Sequence, residues 1–191
     1  GSPFYWMTML VMVPVLTMRL LAEEKKSGTI ETLMTAPVSD TAVVLAKYAG
    51  AMSFYVVMWL PTVAYIFVLK QFSSLMAPID LGPMAGGYLG ALLIGMFYLA
   101  VGLFCSALTS NQIVSAIATF AVLIVFFLGG LMDYLSHDAA VQAVSQYLSS
   151  YNHMLDFSRG LIDTRPVVLY LSGTALMLFA TVKVVEARHW K

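Results

Sequence analysis

Charge is what this sequence has least of. Its 191 residues include 10 Lys or Arg and 10 Asp or Glu, so 10% are charged. A soluble domain carries about 25%, because its surface needs them. With 60% hydrophobic residues and a mean hydropathy of +0.85, the chain suits lipid as its solvent rather than water. The formal net charge of zero excludes both a basic face for nucleic acid and an acidic tail. The single cysteine, Cys105, lies in an apolar run, which rules out a disulfide or cysteine-metal framework.

Chemical motifs are equally scarce. The sequence has no HExxH for zinc, no GxSxG elbow, no aspartate pair within its apolar runs, and no GxxxxGK[ST] phosphate loop. Ser172 and Gly173 have no histidine at comparable depth, which favours packing over catalysis. The chain is therefore not read as an enzyme, and any ATP-driven work would need energy from another protein. Ion-coupled transporters and voltage sensors place ionisable groups inside the membrane. Here Lys47, Lys70 and Lys183 fall at the ends of apolar runs, where they can snorkel to headgroups. Backbone carbonyls remain available to sodium, but no interior side chain is placed to carry coupling.

What is present is a set of long apolar runs. Five are of spanning length: about 3–21, 41–69, 84–108, 113–132 and 166–187. The first, PFYWMTMLVMVPVLTM, lacks the basic start and small-residue cleavage site of a signal peptide. No charge occurs between Lys47 and Lys70 or between Leu81 and Met132, and a four-residue polar turn, Thr109 to Gln112, joins the third and fourth runs. The expected fold is all-α, a single polytopic transmembrane bundle over residues 1–191. Pro14 and Pro61 fall inside runs, where neighbouring helices can satisfy the freed carbonyls. Gly82, Gly86 and Gly90 recur every fourth residue beside Gly87, Ala91 and Gly95. Such a stripe serves helix packing within a bundle or a dimer seam. Tyr55, Trp59, Tyr65 and Phe67 are candidates to line a path, though aromatics in a bundle more often pack.

Basic residues assign the sides. Arg19, Lys25, Lys26 and Lys47 flank the first connection, and Lys183, Arg188 and Lys191 lie in or after the last run. Both are placed in the cytoplasm. The opposite connections carry Lys70, and Arg159 and Arg165 beside Asp133, Asp138, Asp156 and Asp163. This arrangement starts outside and ends inside, which suggests a helix upstream of the first. Residues 133–165 are expected to form an extracytoplasmic amphipathic segment, with Val141, Val144, Leu148, Tyr151 and Leu155 at helical spacing. His137 and His153 lie near Asp133 and Asp156, but without a third ligand they are expected to be surface polar residues.

The stretch from Leu20 to Asp40 concentrates six charged residues. The first helix is expected to continue through Glu23, Glu24, Lys25 and Lys26, with the lysines favoured in its last turn and Gly28, after Ser27, as its stop. Thr29 can then cap a short helix with Glu31 in its first turn. Ile30, Leu33 and Met34 form one apolar face, Pro37 ends the helix, and Ser39 or Asp40 caps the next span. A helix this short needs a surface to dock on. From periodicity, the membrane surface and a cytoplasmic partner serve equally.

MRLLAEEKKSGTIETLMTAPVSDTAVVLAKY, from Met18 to Tyr48, closely resembles the segment after the second helix of ABC-2 type transporter permeases, nearest to the gliding-motility type. SRGLIDTRPVVLYLSGTALMLFATVKVVEARHW, from Ser158 to Trp190, is similar to the end of the same permeases. The resemblance implies six spans, of which this chain would hold five, and a permease subunit, expected to be an exporter. It implies a plasma-membrane location with a cytoplasmic C-terminus, and a homodimer or heterodimer of permeases. ATP and Mg would be bound by a separate cytoplasmic ATPase. That partner would grip a coupling helix from Thr29 to Pro37, with Glu23 to Gly28 as connecting arm, within a cytoplasmic element spanning 23–40. The alternative is a non-transporting membrane scaffold.

Overall fold

The computed structural model describes residues 3–28, 39–72, 81–129 and 145–187. Among them every regular element is helical: α1 (Pro3–Thr17), α2 (Ala22–Ser27), α3 (Asp40–Phe72), α4 (Leu81–Leu108), α5 (Gln112–Leu128), α6 (Ser150–Ser158) and α7 (Thr164–Glu186). The all-α transmembrane bundle expected from the apolar runs is what forms. Four helical stretches are long and apolar enough to cross a membrane, the first of them Phe4–Ser27, which takes in α1, the turn after it and α2; α5, at 17 residues, is shorter. The fourth apolar run was expected to reach Met132, which lies outside the described residues.

The bundle is built around α4, which touches α1, α2, α3, α5, α6 and α7. Ile94, Tyr98, Leu99 and Leu103 on this helix are fully buried. The outer helices turn Phe4, Met7, Val11 and Val15 on α1, Ile113, Ile117 and Phe120 on α5, and Leu171, Leu176 and Phe179 on α7 outward. That apolar exterior is unfavourable in water and neutral in lipid.

Because lipid offers no hydrogen bonds, polar side chains on the spans gain from partners inside the protein. Several serine and threonine hydroxyls on the spans bond back to the preceding turn, as Thr17 does to the Val13 carbonyl (2.8 Å), Thr119 to Ser115 (2.8 Å) and Thr174 to Tyr170 (2.7 Å). Three residues seven apart on α3 reach α4, Thr62 while its hydroxyl also donates back to the Trp59 carbonyl (2.6 Å). The Tyr48 hydroxyl donates to the Met96 carbonyl (3.0 Å) and that of Tyr55 to Ala91 (2.7 Å), while Thr62 bonds the Tyr88 hydroxyl (2.9 Å). Their spacing keeps all three on one side of a helix, so one polar seam fastens α3 to the centre. Tyr55 is thus a packed bundle residue, whereas Tyr65 faces outward.

The short connections are written in their polar residues. Asn111 caps α5 by accepting from the Ile113 N–H (2.9 Å), and Ser39 accepts from Ala42 (3.3 Å) at the start of α3. Asp163 caps α7 through the Arg165 N–H (3.0 Å). Gly160, at φ 78°, closes α6 and turns the chain toward α7.

The amphipathic outer segment differs from the expected one. Residues 130–144, including Asp133, His137, Asp138, Val141 and Val144, lie outside the described residues. Residues 145–148 form one helical turn, and Ser149 then caps a fresh helix, α6, by accepting from the Asn152 N–H (3.2 Å). The restart rotates the buried face: Ser150, His153, Met154 and Phe157 are buried, whereas Leu148 and Tyr151 are exposed. His153 is therefore not a surface residue as expected.

The glycine stripe explains how α6 comes so close to α4. A Cβ on Gly86 would strike the Phe157 carbonyl, and one on Gly90 would sit 2.8 Å from the Phe157 ring. Gly95 lies against Tyr55 of α3 and Gly102 against Thr17 of α1. These contacts spend those glycines on packing within the chain; Gly87 faces open space. Gly86→Ala should lower stability by about 1–3 kcal/mol, the cost of overpacking. Gly87→Ala should be neutral or stabilising by up to ~1 kcal/mol through helix propensity. Thermal unfolding of the purified protein in detergent checks this, and an equal loss at both positions would contradict the packing assignment.

Candidate functional site

The charged connection begins with a break. The first helix was expected to run on through Lys26, but α1 stops at Thr17, Met18 to Leu21 form a turn, and α2 starts afresh at Ala22. The cause is a side chain from far along the sequence. Ser106, in the last turn of α4, places its hydroxyl oxygen 3.1 Å from the Leu21 N–H and 3.0 Å from the Ala22 N–H, and accepts from both. Its proton points to the Met18 carbonyl at 3.3 Å. A hydroxyl inserted into the helical ladder bends it at that point, and here it serves the first N–H groups of α2 in place of a local cap.

Around this joint Ala22 is buried, and Leu21 is buried in one cluster with Val44 of α3, Leu103 and Ala107 of α4, and Val182 and Val185 of α7. The cluster ties the base of α2 to three spans at once. Lys25 donates to the Ala107 carbonyl at the end of α4, satisfying one of the acceptors a helix C-terminus leaves open. Glu24 forms an ion pair with Lys47 of α3. Lys47 was expected to snorkel to headgroups; instead it is held by the arm, because the turn at Met18 to Leu21 brings Glu24 over the start of α3.

The charge order within α2 suits the helix dipole, with Glu23 and Glu24 in the first turn and Lys25 and Lys26 in the last. The Ser27 hydroxyl bonds back to the Glu23 carbonyl (2.9 Å). Gly28 ends the helix in the left-handed region, φ 75° and ψ −2°, where a side chain is strained. Of the residues selected from the sequence, Glu23 to Ser27 lie in α2 and Gly28 ends it. Thr29, Ile30, Glu31, Leu33, Met34 and Pro37 lie outside the described residues. Ser106 was not legible in the sequence, since it is one serine in an apolar run and its partners are more than 80 positions away.

At the other end of the bundle, His153 sits beneath the surface with its Nδ1 2.9 Å from the Tyr170 hydroxyl. The two rings meet edge to face, 5.6 Å apart. Burial pushes the imidazole's pKa below its usual 6.5, and the Asp156 and Asp163 carboxylates push back upward. Among the described residues no group of three His, Cys, Asp or Glu side chains converges to hold a metal.

Two outcomes follow. Ser106→Ala leaves two buried N–H groups unpaired and should destabilise the joint by about 1–3 kcal/mol. Faster hydrogen exchange at Leu21 and Ala22, with α3 unchanged, reports it. His153 is held neutral in the fold, so its contribution is complete above pH 6.5 and is lost as pH falls below 6.5 toward the lowered folded value. The thermal midpoint should drop between pH 7.5 and 5.5, and by less in His153→Gln.

Comparison with curated proteins and with solved structures gives no match. Comparison with protein families does: the family described as ABC-2 family transporter protein matches residues 1–181. A multi-pass apolar bundle and a match over nearly the whole length together place this chain in the ABC-2 transporter family, as a membrane permease subunit of an ABC transporter.

Proposed function

We propose that this permease is the membrane half of an ATP-driven exporter of the gliding-motility type, worked by force applied to the arm. In this reading Glu23 to Gly28 form the connecting arm, and Thr29 to Pro37 form the coupling helix gripped by a separate cytoplasmic ATPase. ATP and Mg are bound there; this chain has no phosphate loop. The permease works as a dimer in the plasma membrane with its C-terminus in the cytoplasm.

The observation that supports this most is the triple anchoring of α2. Ser106 holds its backbone, Lys25 holds the α4 terminus, and Glu24 holds α3 through Lys47. A free loop would absorb a push, whereas an arm bonded to two spans passes it on. ATP closure of the ATPase dimer then moves the arm, and the spans exchange one packing for another. The lack of Asp, Glu, Lys, Arg and His between Lys47 and Lys70 or between Leu81 and Met132 agrees with energy that arrives mechanically.

Two substitutions separate grip from lever. Leu33→Ala should weaken ATPase binding by roughly tenfold, as loss of a docking anchor does. Gly28→Val should leave that binding within about twofold, because space around Gly28 is open, but should cost ~1–2 kcal/mol in the left-handed conformation. ATP-dependent transport in reconstituted vesicles should then fall while expression holds. Normal transport and normal ATPase binding in both folded variants would refute the proposal.

A further inference from the structure

Force transfer makes no use of a cavity at the end of the bundle opposite the arm. It has a volume of about 550 Å³ and opens where α6 meets the start of α7. This is the size of a small-molecule site. Asp156, Arg159, Asp163 and Arg165 all line it, and the ion pairs among the described residues, Glu24–Lys47 and Lys183–Glu186, include none of them. Asp163 uses one carboxylate oxygen as the α7 cap. Two carboxylates and two guanidiniums, all at exposed positions, therefore line one space with no salt bridge among them.

A buried group points the same way. His153 is only 7% exposed and lines this cavity. Its Nδ1 is engaged by the Tyr170 hydroxyl, which leaves Nε2 as the ring nitrogen available to a ligand. When Tyr170 donates to Nδ1, Nε2 carries the proton and is a neutral donor.

We propose that this cavity binds a zwitterionic aminophosphate of the phosphoethanolamine type. Arg159 and Arg165 take the phosphate oxygens with His153 Nε2, and Asp156 and Asp163 take the ammonium. A ligand of one sign would leave the opposite pair uncompensated, whereas a zwitterion answers both. Planar guanidiniums match phosphate oxygens in pairs. The rim adds a second indication, for Leu161 and Ile162 are 60% and 57% exposed in the loop between α6 and α7. Exposed aliphatic side chains beside a headgroup-sized polar cavity suit an amphiphile at the membrane surface. The site is independent of how the permease is powered, so the fate of one proposal does not decide the other.

The full chain, purified in detergent, is titrated with free O-phosphoethanolamine and glycerol 3-phosphate. In a second arm, phosphatidylethanolamine and phosphatidylglycerol are added in mixed micelles, with retention read by native mass spectrometry. The ammonium-bearing compound should bind at least fivefold better than its anionic counterpart in one arm or both. Preference in the lipid arm alone identifies a lipid headgroup; preference in both arms admits the free compound. Asp156→Asn and Arg159→Gln, both at exposed positions, should remove the preference without moving the ligand-free melting midpoint. Arg165→Gln replaces either variant that fails to fold. Equal binding of the two classes overturns the proposal, as does a preference that survives in the folded variants.

Discussion

Everything in this molecule answers to one constraint: a backbone N–H or C=O in lipid must find its partner inside the protein. Unbroken helices meet it by themselves, so the apolar runs become α1, α3, α4, α5 and α7 with few alternatives. The informative places are those where a helix is broken. At Met18 to Leu21 the ladder opens, and the exposed groups are taken up by Ser106. A single hydroxyl thus permits the chain to leave one span, turn, and start a second helix while buried.

The same constraint gives the bundle its centre. Tyr48 and Tyr55 on α3 donate their hydroxyls to α4 carbonyls, and Thr62 meets the Tyr88 hydroxyl. Glycines on α4 then allow Phe157 and Tyr55 to approach its backbone. The helix touched by all others is also the one whose last turn holds the arm, through Ser106 and the Ala107 carbonyl. The short helix α2 is thus bonded to the element around which the spans pack.

The two ends of the bundle are built on different chemistry. At the arm, charges are paired: Glu24 with Lys47, and Lys25 with a helix-terminal carbonyl. At the far end, Asp156, Arg159, Asp163 and Arg165 share a cavity without pairing. Paired charges make a joint stiff, while unpaired charges of both signs leave binding capacity unspent.

Much of this was legible from local pattern. Apolar runs, the polar turn from Thr109 to Gln112, the Ser39 cap, the lysines in the last turn of α2 and the stop at Gly28 are all short-range features. They depend on neighbours within a turn of helix, which a sequence displays directly. The family, too, was readable from the motif around Glu23 to Asp40. Long-range partners were not. The break at Met18 to Leu21, the capture of Lys47 by Glu24, and the burial of His153 under Tyr170 each require residues remote in sequence to meet. The restart at Ser149 likewise rotated the outer helix away from its expected face. By itself the sequence determined which segments are helices and where their polar ends lie, because backbone satisfaction in lipid is a local matter. Only the tertiary structure decided which polar groups meet, because that depends on how the helices pack around α4.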